Sequence, residues 1–269
     1  MTDIKLIDDN FLHVSHPMCK ALVSLQGAQL IHWQPTGEDE VLWSSKLSNF
    51  KTGKAFRGGI PICWPWFGKN THPSHGFARL MKWKLKESTS NADHVLLTFT
   101  LENTSETFKL FPHEFSLSLK MILGATCKVT LSIDSTKETT GALHSYFATD
   151  NILNEKIVGL GKYYTDATDK KKEKISNTPY LTVDKEIDYI YTNAENITLV
   201  SNNNRSVKIT HYNQSDVVVW NPWSQKEKYI GDMYLDDHKT MICIETARIN
   251  KKINKSDFIS VEISVKGKK

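Results

Sequence analysis

Apolar and polar residues take turns along much of this chain. Phe115, Leu117, Leu119, Met121 and Leu123 alternate with Ser116, Ser118, Lys120 and Ile122. Val129, Leu131 and Ile133 alternate with Lys128, Thr130 and Ser132, and Ile259, Val261, Ile263 and Val265 with Ser260, Glu262, Ser264 and Lys266. Successive side chains of a strand point to opposite faces, so this pattern sets one face on a core and the other in water, as antiparallel sheets allow. Shorter β-rich runs cover Ala21 to Gln26, Leu30 to Trp33, His94 to Leu101, Ile197 to Ser201, Ser206 to Tyr212 and Val217 to Trp220. Gly27, Pro35-Thr36-Gly37, Gly124, Gly141 and Asn202-Asn203-Asn204 punctuate them as turns.

No stretch carries a helical repeat longer than about two turns. Many short strands predict an all-β chain, a sandwich or a barrel. No fixed long period marks a propeller or solenoid, and no Pro-, Gly- or Ser-rich linker divides the chain, so one domain over residues 1–269 is expected. Hydrophobic residues make up 39% and charged residues 24%, enough for a core and too balanced for disorder. No apolar run approaches the ~20 residues of a membrane span. Acids at Asp3, Asp8 and Asp9 stand where a signal peptide needs bases, so a cytoplasmic protein is expected. Cys19, Cys63, Cys127 and Cys243 form no CxxC pair and read as buried thiols.

The net charge of +4 is modest, and the basic run Asp169-Lys170-Lys171-Lys172-Glu173-Lys174 reads as a solvated loop. No nucleic-acid partner is expected. Arginine is scarce: 30 of the 34 basic residues are lysine, leaving Arg57, Arg79, Arg205 and Arg248. Arginine's planar fork suits bidentate recognition of phosphate or carboxylate, and the scarcity becomes informative if these residues converge. Two of them bracket a segment unlike a strand, running from Phe56 to Arg79 with Gly58, Gly59, Gly68, Gly76, Pro61, Pro65, Pro73, Trp64 and Trp66 inside it. Glycine lets backbone approach a ligand closely, and the aromatics offer flat walls for a sugar face. A rigid loop packed on the core fits the same residues.

The run Arg57-Gly58-Gly59-Ile60-Pro61-Ile62-Cys63-Trp64-Pro65-Trp66-Phe67-Gly68, followed by His75-Gly76-Phe77-Ala78-Arg79, resembles the signature of the hexose-6-phosphate mutarotases of the aldose-1-epimerase superfamily. Agreement continues at Leu143-His144-Ser145-Tyr146-Phe147, Glu186-Ile187-Asp188-Tyr189-Ile190-Tyr191, Val219-Trp220-Asn221-Pro222-Trp223 and Met241-Ile242-Cys243-Ile244-Glu245, in family order. Two departures stand out. Ser74 occupies a position where the family often has Gln, and Asp232 to Lys239 differs from the commoner Pro-Asp-Asp-Gly-Tyr pattern.

The resemblance implies a large antiparallel β-sandwich of the galactose-mutarotase type. It implies an enzyme that interconverts the α and β anomers of a hexose 6-phosphate, working without cofactor or metal as a monomer. Ring opening needs a base for the anomeric hydroxyl proton and an acid for the ring oxygen. By resemblance Glu245 is the base and His144 the acid, and their ordinary pKa values, about 4.3 and 6.5, would put the carboxylate on the acid limb of a bell-shaped profile. Arg57 and Arg79 would take the 6-phosphate, Asp188 would accept sugar hydroxyls, His75 would orient the ring oxygen, and Ser74 would line the site. Taken alone, His144 and Glu245 read better as structural residues, and Arg248 receives no role. Mutarotation of unphosphorylated aldoses, or sugar binding without catalysis, are the alternatives.

Overall fold

The computed structural model describes residues 2–48, 50–69 and 71–267. The alternating segments are strands, and their apolar sets are buried together. Phe115–Gly124, Cys127–Ser135 and Asp257–Gly267 lie side by side, with Leu117, Leu119, Leu131, Ile259, Val261 and Ile263 fully removed from water. These belong to an antiparallel sheet of eight strands, which runs from Lys156–Val158 through Ile197–Ser201, Arg205–Tyr212, Asp257–Gly267, Cys127–Ser135, Phe115–Gly124 and His94–Glu102 to Lys84–Ser90. A second eight-stranded sheet is ordered Lys172–Ile175, Tyr163–Asp166, Ile187–Thr192, Asp216–Asn221, Met241–Ile253, Thr139–Leu143 and Ile62–Cys63, with Tyr146–Ala148 also paired to Met241–Ile253. A four-stranded meander, Asp3–Ile7, Phe11–His16, Cys19–Ser24 and Gln29–Pro35, completes the β structure. Among the described residues the two α-helices are short, Ser105–Leu110 and Trp223–Glu227. The all-β expectation holds. Among the described residues no helix is long and apolar enough to cross a membrane.

The strand Met241–Ile253 carries Glu245. It is buried on both faces over its first eight residues, so its alternation sorts two environments instead of core and solvent. Ile242 and Ile244 join the main core, while Cys243 and Ala247, which share Glu245's face, pack in separate clusters. Past the site the strand joins Asp257–Gly267 of the other large sheet, and Arg248 secures this corner. Its side chain is buried, pairs with Asp257 at 3.0 Å, and donates to the Lys251, Lys252 and Asn213 carbonyls. A buried charge satisfied this fully is structural. All four cysteines are free and buried, as expected.

Candidate active site

His144 owes its position to a break in the sheet. Thr139–Leu143 and Tyr146–Ala148 both pair with Met241–Ile253, through Leu143 opposite Thr246 and Tyr146 opposite Cys243. The ladder is interrupted at His144 and Ser145, opposite Ile244 and Glu245. There the His144 N–H donates instead to the Pro61 carbonyl, at 3.0 Å. His144 Nε2 lies 3.2 Å from Glu245 Oε1, and both side chains are almost wholly buried, at 10% and 2% exposure. The His144 ring stacks on Tyr146 at 4.8 Å and meets Trp220 edge-on at 6.4 Å.

Burial sets the protonation of this pair. It pushes the Glu245 carboxyl well above the ordinary carboxylate range, Asp188 adds to the rise, and Arg79 opposes it. Burial, then His75 and Arg79, drive the His144 imidazole well below its ordinary value. Neither group readily holds its charge, so a single proton serves the two. His144 Nδ1 and Glu245 Oε2 are buried without any protein partner among the described residues. Such atoms usually cost about 1–3 kcal/mol each unless a ligand satisfies them.

The loop from Phe56 onward wraps this pair. Gly59 has φ of +61°, and a side chain there would collide with the Leu30 carbonyl and Ile31, which explains the residue type after Arg57-Gly58. Arg57 Nε donates to Asp232 Oδ1 at 2.7 Å, and its Nη1 to the Tyr146 hydroxyl at 3.2 Å. Trp64 and Trp66 do not form sugar walls as expected. Trp64 is fully buried against Phe77, Phe111 and Phe115, and Trp66 Nε1 donates to the Pro73 carbonyl, so both brace the loop. The aromatic walls of the cavity are Phe67, Tyr146 and Trp220.

His75 adopts left-handed backbone, φ of +59°, an uncommon conformation for a residue with a side chain. Gly68 holds it there: the His75 N–H donates to the Gly68 carbonyl, and Nδ1 accepts from the Gly68 N–H at 3.4 Å. Burial and then Arg79 lower the imidazole to about 3. His75 is therefore neutral, and with Nδ1 accepting, Nε2 carries the proton as a donor. Ser74 holds Arg79, whose Nη2 donates to the Ser74 carbonyl at 2.7 Å and lies 3.5 Å from its hydroxyl. Arg79 Nε is buried with no protein partner among the described residues. Asp188, raised chiefly by burial and lowered by Lys226 and Lys69, comes from the strand Ile187–Thr192.

All seven residues singled out from the sequence, Arg57, Ser74, His75, Arg79, His144, Asp188 and Glu245, line one cavity of about 540 Å³. Of the four arginines, Arg57 and Arg79 converge there, whereas Arg205 braces the Asp39 and Glu40 carbonyls. Sequence reasoning missed Lys69, Lys171 and Lys226, which also line the cavity. It missed Asp232 as the partner of Arg57, a pairing across 175 residues that no local pattern announces. The basic run assigned to solvent is only partly so: Lys172 and Lys174 pair with Asp169 and Asp166, but Lys171 faces the cavity.

Known proteins resemble this chain in sequence and fold. The family model for aldose 1-epimerase matches residues 11–264. A Salmonella typhimurium protein named "Putative glucose-6-phosphate 1-epimerase" is 41% identical over 247 residues, covering 90% of this chain and 84% of that protein. An Escherichia coli protein of the same name is 40% identical over 248 residues, with the same coverage. The crystal structure described as a "putative mutarotase (YeaD)" from Salmonella typhimurium superposes with a TM-score of 0.95 at 37% identity, over 99% of this chain and 94% of that one. By its match over almost the full length, and by relatives of this similarity, the chain belongs to the aldose 1-epimerase family.

Proposed function

We propose that this protein interconverts the α and β anomers of hexose 6-phosphates, chiefly glucose 6-phosphate, by acid–base catalysed ring opening and closure. The observation that carries the reading is the buried His144–Glu245 pair, with one unpartnered polar atom on each member, in a cavity rich in cations.

In the active protonation state Glu245 is ionised and His144 protonated, the same proton count as the neutral pair. Glu245 takes the proton from the anomeric hydroxyl while His144 delivers its proton to the ring oxygen, and the bond between the anomeric carbon and ring oxygen breaks. The products are the open-chain aldehyde, a neutral carboxyl and a neutral imidazole. After rotation about the bond next to the aldehyde, the two groups exchange roles and the ring closes on the other face. His75 Nε2–H is a neutral donor suited to the ring oxygen or a hydroxyl beside it, and Asp188 accepts from sugar hydroxyls. Arg57 and Arg79 supply the positive field for the phosphate. Ser74 contributes by steadying Arg79.

The reading carries with it a cytoplasmic monomer, built as one domain over residues 1–269 and acting on a small sugar phosphate. The names of the relatives support the substrate class, and four buried free thiols suit a reducing compartment. The deciding experiment is anomer-exchange NMR on glucose 6-phosphate and on glucose, with and without protein. Faster exchange of the phosphorylated sugar is expected, and no acceleration of either sugar would overturn the reading.

A further inference from the structure

Five cations line the cavity, Arg57, Lys69, Arg79, Lys171 and Lys226, and they are not equally available. Arg57 is engaged by Asp232 at 2.7 Å, and Lys226 by Glu186 at 2.5 Å. Arg79 is anchored to Ser74, and its charge also acts on His144 and Glu245. Lys69 and Lys171 differ from all three. Neither has an acidic partner among the described residues, and both are exposed.

The two lysines come from unrelated parts of the chain. Lys69 stands in the loop after Ile62–Cys63, and it acts on both His75 and Asp188. Lys171 ends the turn between Tyr163–Asp166 and Lys172–Ile175 and has φ of +57°. Its neighbours Lys172 and Lys174 are drawn to Asp169 and Asp166, which leaves Lys171 as the member of the run that lines the cavity.

Charge matching indicates the ligand. Once Asp232 and Glu186 offset Arg57 and Lys226, the lining holds Lys69, Arg79 and Lys171 against Asp188, with Glu245 held neutral by burial. The surplus is about two positive charges, and a phosphate monoester carries about −1.5 to −2 near neutral pH. Geometry agrees with the count. The reacting atoms meet the buried pair, whereas a phosphate on the sugar's exocyclic carbon extends away from the anomeric carbon, toward a mouth where water still solvates a dianion and burial costs little.

We infer that Lys69 and Lys171 form an anion subsite at the mouth of the cavity, gripping the outer oxygens of the substrate's phosphate monoester from two separate loops. The inference rests on the sugar-phosphate reading above, and assigns the two lysines a specificity role beyond that of the arginines.

The test is the double substitution Lys69→Met with Lys171→Met, assayed by anomer-exchange NMR on glucose 6-phosphate and on glucose. The ratio of kcat/KM for the phosphorylated over the free sugar is expected to fall about ten- to a hundredfold, carried by KM, and each single variant should lose about three- to tenfold. The dependence of that KM on ionic strength should flatten, since two exposed charges have gone. Lys171→Arg should restore most of the loss in the single Lys171 background. An unchanged ratio in the double variant, with the wild type still preferring the phosphorylated sugar, overturns the subsite alone. Equal losses on both sugars also overturn it, because the lysines would then be supporting the loops. A wild type without preference for glucose 6-phosphate overturns the substrate reading, and the subsite with it.

Discussion

Among the described residues two buried His–Glu pairs stand out, and their surroundings are opposite. His238 Nδ1 sits 2.8 Å from Glu227 Oε2, with side-chain exposures of 3% and 2%, much like His144 and Glu245. Yet Glu227 is saturated. Oε2 also accepts from the His238 N–H at 3.1 Å, and Oε1 from the Asp236 N–H at 3.0 Å. Glu245 Oε2 and His144 Nδ1 have no such partners among the described residues. Residue type and burial do not separate the pairs; hydrogen-bond saturation does. The saturated pair closes the loop that contains Asp232, the residue that grips Arg57. On the reading proposed above, the unsaturated pair does the chemistry, and the saturated one holds a wall for it.

The contrast breaks most directly at the glutamates. Glu245→Gln should reduce anomer exchange by about 10²–10⁴-fold with the fold retained. The same change should help stability, and its sign is fixed by the raised pKa. A carboxyl that keeps its proton in the folded state contributes most at low pH, and that contribution is lost as pH climbs from the ordinary carboxylate range through the raised value. Gln does not ionise, so the variant's advantage in denaturant melts should widen between pH 5 and pH 8. A variant as active as the wild type, or an advantage that shrinks with pH, would dissolve the distinction.

Next in size is the wall itself. Arg57→Ala should raise KM for glucose 6-phosphate about ten- to a hundredfold, and Asp232→Asn should raise it only a few-fold, since Asn keeps an acceptor for the Arg57 Nε. Steady-state exchange kinetics on both variants check the order; an Asp232→Asn variant as impaired as Arg57→Ala would give the carboxylate a role of its own. Glu227→Gln should reverse the pattern seen at Glu245, costing about 1–3 kcal/mol of stability while changing exchange only a few-fold, through KM. Urea unfolding alongside the exchange assay separates the two.

The smallest effect sharpens the comparison through pH. Ordinary values would end activity near pH 6.5, where the imidazole loses its proton. Burial reverses that order: the lowered imidazole governs the acid limb and the raised carboxyl the basic limb. Exchange of free glucose, which unlike its phosphate does not titrate here, should therefore hold a plateau that continues above pH 6.5. A basic limb at or below that value would return the pair to ordinary behaviour.

The long alternating strands and apolar runs such as Val217 to Trp220 were legible in the sequence, and the exposed edge strands were not. Lys84–Ser90 is exposed along its whole length at the edge of a sheet, so no alternation marked it. The Asp3–Ile7 edge strand is mostly exposed and was likewise unreadable. The site followed the same logic. Glu245, His144 and His75 were legible only through the family motifs, whereas Arg57 and Arg79 also stood out as scarce arginines around a loop rich in glycine and proline. Lys171 looked like one more solvated lysine, since only the pairing of its neighbours with aspartates distinguishes it. Asp232 and Glu227 act through contacts that fold closure creates, and their local sequence has no periodicity to betray them. Arg248, three residues past Glu245, lies close in sequence to the site but belongs to the corner between sheets.

Backbone bonds join the segment that carries Arg57 to the one that carries His144. His144 donates to Pro61, Tyr146 to Gly59, Gly59 to Trp43 and Trp43 back to Tyr146, forming a closed circuit of amides. His144 and the Arg57 segment are therefore stitched together locally, and separating them requires several of these bonds to open at once. The turn carrying Lys171 has no comparable stitching to that circuit among the described residues. The wall that carries His144 should therefore exchange its amide hydrogens more slowly than the hairpin that carries Lys171.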